Sequence, residues 1–368
     1  MTERFTEVEA KYSNIWSRLF LRRYYENQYM LPLDSGPAFI RAFLIWYEDH
    51  ILKVDTSRIS IEKPVFLFGL PRSGTTILQN ILCSHDSAAY ITNSMHQFRK
   101  SIIAIEHFRK LLRLDFEGQR YIKDGLMVGP GSPNEGIAIF ADWFKLDPFS
   151  TSYKDLNIDQ FSQSEINDGL EILKKVIWSF GRNGKRFFNK CPAVLVQVLF
   201  FLQIFPDAKF IHLIRDARMC ANSMIKLYKR NVLQENKIKA KYPNLLSPEQ
   251  SVVPYPPLPK LEEYLEAYGP EDIQTTANLW NDGVSFLVDK RNQIPDLFEV
   301  RYEDILENPQ GEITKILKFC EFPAIKDPKS RFWQMVETFK PVHANRQYGD
   351  FDIIESICSV NMKRYGYL

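Results

Sequence analysis

The chain has 368 residues, of which 45% are hydrophobic, 25% charged and 14% aromatic. These proportions are ordinary for folded proteins and exclude a disordered chain, a collagen-like repeat and a small disulfide-rich scaffold. With 47 Lys and Arg against 45 Asp and Glu, the formal charge of +2 argues against a nucleic-acid partner, so any anionic ligand must meet a local site.

The five cysteines are widely spaced and include no CxxC pair, so they indicate neither a zinc ribbon nor a disulfide framework. Unpaired cysteines are typical of a reducing compartment. The sequence begins without a basic and then apolar signal region, and no run reaches the ~18 apolar residues of a membrane helix. We therefore expect a cytoplasmic protein without a transmembrane segment, and its oligomeric state stays open.

Residues 1–60 are expected to form a helical N-terminal extension, because apolar residues recur at helical spacing as far as Leu52. Residues 61–368 are expected to form one α/β domain. Its first unit is the apolar run VFLF at 65–68, which predicts a buried strand, followed by the loop GLPRSGTT at 69–76 and a helix.

Two further units repeat this order of strand and helix. The run AKFIHLI at 208–214 predicts a second buried strand, and LFEVRY at 297–302 predicts a third. Strands that alternate with helices predict a mostly parallel β-sheet of the P-loop type, with helices on both faces. The segment 242–260 holds six prolines and is expected to be either a surface loop or a lid over an acceptor site.

The loop at 69–74 has the G-x-x-x-x-G spacing of a phosphate-binding P-loop, placed between a strand and a helix whose first N–H groups bind oxyanions. The lysine that usually follows the second glycine is replaced by Thr75, and the cation lies inside the loop at Arg72. An ATP γ-phosphate would lack its usual partner, which argues against a P-loop kinase or nucleotide hydrolase.

The sequence PRSGTT at 71–76 resembles the 5′-phosphosulfate loop of the sulfotransferases that use 3′-phosphoadenosine 5′-phosphosulfate (PAPS). IRDAR at 214–218, with Ser223 eight residues after Arg215, is similar to the 3′-phosphate element of that family. An Arg at a strand end and a Ser two turns into the next helix converge on one phosphate. The resemblance assigns nucleotide binding to Pro71, Arg72, Ser73, Gly74, Thr75, Thr76, Arg215 and Ser223.

Other segments resemble the bacterial and protein-tyrosine branch of the family, and the resemblance begins near residue 63. NKCP at 189–192 is one of them; RYED at 301–304 is similar to an element whose tyrosine, here Tyr302, lies near the adenine. KPVHANR at 340–346 resembles a late loop that closes over the nucleotide with a final cation, here Arg346. KRYGY at 363–367 resembles the terminal L-G-Y of the family.

The resemblance implies in-line transfer of a sulfuryl group to a hydroxyl, with PAPS as donor, 3′-phosphoadenosine 5′-phosphate (PAP) as product and no metal. Arg72 is assigned to the bridging and sulfuryl oxygens of the donor, and Lys190 to charge in the transition state or to the nucleotide. A base must accept the hydroxyl proton. Glu135, in GSPNEG at 131–136, is the first candidate for this base. The alternative interpretation of Glu135 is a residue in the first turn of a helix, where a carboxylate is favoured by the helix dipole. His96 is the second candidate for the base and His85 the third.

The acceptor is expected to be a small-molecule or lipid hydroxyl, and its identity among lipids, sugars, metabolites and protein tyrosines stays open. The aromatic content favours a hydrophobic alcohol, and the expected lack of a signal or anchor disfavours a secretory protein-tyrosine enzyme. Aromatic residues near Tyr24, Tyr25, Phe39, Trp46 and Trp143 are candidates for an acceptor pocket, although most such residues belong to a core. Two alternatives stay open: a P-loop kinase or nucleotide hydrolase, and a non-catalytic nucleotide-binding protein.

Overall fold

The computed structural model describes residues 11–19, 21, 38–120, 126–181, 185–241, 252–339 and 346–368. Three sets of predicted features lie outside these residues: the aromatic pair Tyr24 and Tyr25, most of the proline-rich segment, and positions 340–345 of the late loop.

The described strands follow each other as β1 (Lys11–Tyr12), β2 (Val65–Phe68), β3 (Ala88–Tyr90), β4 (Phe116–Gln119), β5 (Met127–Val128), β6 (Arg186–Lys190), β7 (Lys209–Ile214) and β8 (Leu297–Arg301). Five of them form one parallel sheet in the order β3-β6-β2-β7-β8. The predicted α/β fold with a parallel sheet is therefore confirmed, and the strand that precedes the P-loop lies at its centre.

The described helices are α1 (Ala38–Tyr47), α2 (Thr75–Cys83), α3 (Asn93–Gln97), α4 (Ile102–Leu111), α5 (Ile137–Phe144), α6 (Gln163–Ser179), α7 (Val198–Ile204), α8 (Ala217–Lys241), α9 (Leu261–Tyr268), α10 (Ile273–Lys290), α11 (Tyr302–Glu307), α12 (Pro309–Phe319), α13 (Arg331–Val336) and α14 (Phe351–Arg364). A π-helical turn, Glu48–Leu52, extends α1, and Pro192–Gln197 is a 3-10 helix before α7.

The central strand β2 is apolar along its whole length because both faces of the sheet are covered, and the neighbouring β7 is buried at every residue. Phe66 and Phe68 pack with Phe210 into the core on one face, whereas Leu67 and Ile211 belong to the core on the other. Alternate side chains of a strand point to opposite faces, so a run without polar residues is what two buried faces require.

The N-terminal part differs in one place from the expected helical extension. Lys11 and Tyr12 form β1, which pairs antiparallel with β4, and β4 also pairs with β5. Tyr12 lies 6.0 Å from the ring of Phe116, beside the small buried cluster of Leu21, Leu114 and Phe116. The strand pairing gives Tyr12 an apolar partner, and this tertiary contact overrides the helical spacing of the segment.

The described end of the proline-rich segment is packed against the rest of the chain. Tyr255 and Leu258 are buried, and the Tyr255 hydroxyl donates to the Pro270 carbonyl at 2.7 Å. The Asn231 side chain on α8 donates to the Val252 carbonyl at 3.0 Å. Residues 252–260 are thus held in place, and the lid prediction rests on residues 242–251, outside the described part.

Candidate active site

Four of the parallel strands end at the same edge of the sheet, and each end carries a predicted site residue. β2 leads into the loop 69–74, β6 ends at Lys190, Arg215 follows β7, and Tyr302 follows β8. The carboxyl ends of parallel strands are where open α/β sheets bind ligands, because loops and helix N-termini converge there. The fold therefore gathers residues that are far apart in the sequence.

The loop after β2 turns tightly into α2 through two residues with left-handed backbone conformations. Arg72 has φ of 73° and Gly74 has φ of 98°. A Cβ atom at Gly74 would lie 2.5 Å from the Tyr302 ring, so only glycine fits there. Arg72 adopts its conformation at a cost that ordinary residues avoid, and such strain is concentrated at functional sites.

The two predicted phosphate elements meet in direct contact. The Arg72 Nε donates to the Ser223 hydroxyl oxygen at 2.9 Å, which joins the loop to the second turn of α8. The Arg215 Nη1 donates to the backbone carbonyl of Arg72 at 3.1 Å. Two guanidinium groups and a hydroxyl are therefore brought to one place, which is the chemistry that a polyanionic ligand requires.

Arg215 is fixed from both sides. Its guanidinium lies 4.4 Å from the centre of the Tyr302 ring, a cation–π arrangement, and its backbone carbonyl accepts a hydrogen bond from Trp280 Nε1 at 2.9 Å. The side chain is only 9% exposed. A residue held in this way keeps a single orientation at the strand end.

Two buried polar atoms in this group have no hydrogen-bond partner among the described residues. They are Arg215 Nε and the hydroxyl oxygen of Ser73, whose residue is 1% exposed. Buried polar groups are normally paired with protein, water or a ligand, so these two atoms can each accommodate a further partner. A cationic N–H, a hydroxyl and the first turn of α2 fit an anionic phosphate group.

Lys190 and Glu135 form an ion pair beside the loop, 55 residues apart in the sequence. Lys190 is buried, with 4% of its surface exposed, while the Glu135 side chain is 31% exposed. The Asn189 side chain donates to the backbone carbonyl of Glu135 at 3.0 Å and fixes the segment that carries it. The carboxylate is therefore the more accessible member of the pair.

His96 lies close by but has a different role in the structure. Its Nε2 accepts a hydrogen bond from the Ala138 backbone N–H at 3.2 Å, in the first turn of α5. Burial, with a smaller contribution from Arg99, lowers the pKa of His96 to about 4. Its Nε2 lone pair is engaged and its pKa is far from neutrality, so the geometry favours Glu135 over His96 as a base.

His85, the reserve candidate, lies beyond the opposite end of α2. Its Nε2 donates to the Pro323 carbonyl at 2.9 Å, and its ring stacks on Phe322 with a centroid distance of 4.9 Å. Both contacts are structural, and burial lowers the pKa of this histidine. The structure does not bring His85 to the strand ends.

The other predicted site residues lie as follows. Tyr302 is 1% exposed, and its ring touches Arg215 and the Phe339 ring, so in this arrangement it reaches a ligand only through its neighbours. Pro71 and Thr76 are partly exposed in the loop, and Thr75 is buried at 3%. Arg346 is exposed, with its guanidinium 4.3 Å from the centre of the Phe351 ring.

The aromatic residues proposed for an acceptor pocket are divided between core and surface. Trp143 is 6% exposed and belongs to the main core, whereas Phe39 and Trp46 lie 73% and 48% exposed on α1. The described residues contain no cluster of His, Cys, Asp or Glu that could hold a metal ion. None of the described helices has the length and apolar character needed to cross a membrane.

Sequence reasoning missed the residues that brace the strand ends. Trp280 holds the Arg215 carbonyl, Asn189 holds the Glu135 backbone, and the Glu303 carboxylate accepts the N–H of Asp216 at 3.3 Å. Glu303 stands in the RYED motif and Asn189 in the NKCP motif, and these motifs were signals for their parts of the site. Trp280 lies in a helix with no motif, and its apolar spacing indicates only a core residue.

Comparison with known proteins identifies sulfotransferases both by sequence and by fold. Residues 64–247 match the model of a family described as "Sulfotransferase family". The chain is 22% identical over 324 residues to omega-hydroxy-beta-dihydromenaquinone-9 sulfotransferase Stf3 of Mycobacterium bovis, covering 82% of this chain and 75% of that protein. It is 18% identical over 262 residues to protein-tyrosine sulfotransferase A of Caenorhabditis elegans, covering 70% of this chain and 50% of the relative.

A similar fold occurs among solved structures. Sulfotransferase STF9 from Mycobacterium avium superposes with a TM-score of 0.54 at 14% identity, covering 87% of this chain and 80% of that one.

Proposed function

Because the chain belongs to the sulfotransferase family, we propose that the residues gathered at the strand ends bind PAPS and carry out the transfer. The enzyme moves a sulfuryl group from PAPS to a hydroxyl acceptor. The observation that carries the assignment is the contact of Arg72 with both Ser223 and Arg215, which joins the loop to the second phosphate element.

In this proposal the donor is held at its two phosphate ends. The loop from Ser73 to Thr76 and the first turn of α2 bind the 5′-phosphate, where backbone N–H groups favour an anion. Arg215 and Ser223 bind the 3′-phosphate. The unpaired Ser73 hydroxyl and Arg215 Nε support this division, because each part of the site has a buried group that lacks a partner among the described residues.

Glu135 is proposed as the general base and Arg72 and Lys190 as the groups that stabilise charge. The Glu135 carboxylate takes the acceptor proton while the acceptor oxygen bonds to sulfur and the bond from sulfur to the bridging oxygen breaks. PAP leaves with that electron pair. Arg72 and Lys190 offset the negative charge that develops on the sulfuryl and leaving oxygens, so the chemistry is positioning and electrostatics, with no metal required.

The acceptor is proposed to be a small molecule or lipid that carries a hydroxyl, with no nucleic acid as partner. The mycobacterial relative that acts on an omega-hydroxy-beta-dihydromenaquinone supports a lipid alcohol. We also propose that the enzyme works in the cytoplasm. All five cysteines are buried, and their wide spacing without a CxxC pair is typical of proteins of a reducing compartment.

Calorimetric titration with PAP, 5′-AMP and Mg·ATP tests the donor site. We expect PAP to bind at least about tenfold more tightly than 5′-AMP, because a charge-assisted contact to the 3′-phosphate is worth about 1.5–3 kcal/mol. Equal binding of PAP and 5′-AMP would contradict the 3′-phosphate assignment, and a preference for Mg·ATP would favour a kinase site.

The Glu135→Gln variant tests the base. It keeps the shape of the side chain and an oxygen for Lys190, but it cannot accept a proton. We expect transfer from PAPS to a phenol or an aliphatic alcohol to fall by about 10²–10⁴-fold, with the affinity for PAP unchanged. Turnover at the wild-type rate would exclude Glu135 as the base.

A further inference from the structure

We propose that Tyr367 is a positioning residue for the 3′-phosphate site, acting through Glu303 on the strand end that carries Arg215. The inference deepens the proposed function and rests on the assignment of Arg215 to the 3′-phosphate. It gives a role to the terminal Tyr-Gly-Tyr segment, which the transfer chemistry itself does not use.

A direct series of hydrogen bonds joins Tyr367 to the strand end. The Tyr367 hydroxyl donates to Glu303 Oε2 at 2.7 Å. The other oxygen of that carboxylate, Oε1, accepts the backbone N–H of Asp216 at 3.3 Å. Asp216 directly follows Arg215, so the Glu303 carboxylate fixes one side of the peptide that orients the arginine. Burial raises the pKa of Tyr367, so its hydroxyl stays a donor at neutral pH.

A second set of contacts holds the same segment through Arg218. The Arg218 Nη2 donates to the Tyr367 carbonyl at 3.3 Å, while its Nε donates to the Asp216 carboxylate at 3.0 Å. The Arg218 Nη1 also donates to Glu355 on α14 at 2.8 Å. Arg218 is therefore engaged by carboxylates, and the family-like cation at this position is used to hold the C-terminal segment beside Asp216.

The contacts of Tyr367 add to other restraints on the backbone and side chain of Arg215. Trp280 holds the Arg215 carbonyl, and the Tyr302 ring lies against the guanidinium. Tyr302 and Glu303 are consecutive residues in the first turn of α11. Tyr367 thus restrains the start of the helix that supports the guanidinium as well as the peptide that follows Arg215.

The Tyr367→Phe variant tests the proposal, with Tyr365→Phe as its matched control. Tyr365 stands two residues earlier, and its hydroxyl donates to Glu299 at 2.8 Å, away from Asp216. The affinities for PAP and 5′-AMP are measured by calorimetry on each full-length variant. We expect Tyr367→Phe to weaken PAP binding by about fivefold and to leave 5′-AMP binding unchanged, because one hydrogen bond is worth about 1 kcal/mol, which corresponds to that factor. Tyr365→Phe should change neither.

Three results would count against the role of Tyr367 or against the assignment of Arg215. Wild-type PAP affinity in Tyr367→Phe overturns the proposal, as does equal weakening of PAP and 5′-AMP, which indicates a structural role only. If the wild-type enzyme itself binds the two nucleotides equally, the assignment of Arg215 fails instead, so the two failures are distinguishable. Glu303→Gln is the second variant, and it should raise the KM for PAPS while kcat at saturation is retained.

Discussion

Arg72 and Arg215 touch each other in the structure, yet their surroundings differ in a way that indicates different work. Arg72 lies in the strained left-handed region on a loop, with its Nε on a hydroxyl. Arg215 is buried at the end of a strand against an aromatic ring. The strained loop residue, Arg72, is suited to stabilise negative charge that develops only during transfer. The fixed residue, Arg215, is suited to bind the 3′-phosphate, whose charge is present on the donor throughout.

Separate alanine variants should reveal this division. We expect Arg72→Ala to lower kcat by about 10²–10³-fold with little change in PAP affinity, as when one preorganised charge donor is lost. Arg215→Ala should raise the Kd for PAP by about 10–100-fold and retain much of kcat at saturating donor. Transfer assays and calorimetry measure both quantities. Equal losses of affinity with catalysis intact in both variants would contradict the division.

His96 should make stability depend on pH. Its pKa is about 4 in the folded protein, against an ordinary value of 6.5. Below pH 6.5 the unfolded chain therefore binds a proton that the folded protein does not bind until about pH 4. The free energy of unfolding should therefore decrease by about 1–3 kcal/mol as the pH falls from 6.5 to about 4.

Urea unfolding of the wild type and of His96→Gln between pH 7 and pH 4.5 checks this. The glutamine keeps an oxygen that can accept the Ala138 N–H but does not titrate, so the free energy of unfolding should fall less steeply in the variant. Identical slopes for the two proteins would show that His96 does not contribute.

At the scale of elements, the sequence predicts the strand–loop–helix units well because both the strands and the loop are locally determined. A strand buried on both faces is a mostly apolar run, uninterrupted in β2 and broken only by His212 within residues 210–214 of β7. The loop between β2 and α2 is defined by its two glycines. The phosphate elements could therefore be placed from their own residues.

Contacts between distant segments could not be predicted in this way. The pair of Lys190 and Glu135 depends on where the segment before α5 lies relative to the end of β6, and no local pattern encodes that. Strand β6 has charged residues at both ends, so periodicity does not identify it. The burial of Tyr302 depends likewise on the packing of Gly74 and Phe339 against its ring.

The tight turn between the loop 69–74 and α2 leads to a further prediction. Gly74→Ala places a methyl group 2.5 Å from the Tyr302 ring at φ of 98°. Gly181→Ala is the matched control, because its φ of 93° is similar and, apart from its chain neighbours, none of the described residues has an atom within 4 Å of an added Cβ. The control should cost about 1–2 kcal/mol of backbone strain, and Gly74→Ala should cost more.

Thermal unfolding and PAP titration measure the two effects. PAP binding should be weakened by Gly74→Ala, since the Tyr302 ring that must move also supports Arg215, and it should be unchanged by Gly181→Ala. Equal PAP affinity in the two variants would mean that the ring can move without disturbing the arginine.

At the scale of the whole molecule, the last helix stabilises the layer behind the site. α14 packs against α10 and α8, and its residues Ile354, Cys358 and Met362 are fully buried. α10 carries Trp280, which holds the Arg215 carbonyl, and α8 carries Ser223. The C-terminal part therefore supports the site in two ways, by packing in the core and by the specific contacts of Tyr367.

A variant of Asn361 distinguishes the effect of packing the last helix from the effect of the Tyr367 contacts on Arg215. It is 4% exposed on α14, and its amide nitrogen lies 2.8 Å from the Ser285 hydroxyl and 2.9 Å from Asn281 Oδ1 on α10. Asn361→Ala should lower the free energy of unfolding by about 1–3 kcal/mol, because polar groups of α10 lose their partner, while Ser356→Ala on an exposed face should not. The ratio of PAP to 5′-AMP affinity should stay at the wild-type value below the unfolding transition. A reduced ratio would mean that any loosening of the last helix disturbs Arg215, and the effect of Tyr367 would then be one of stability.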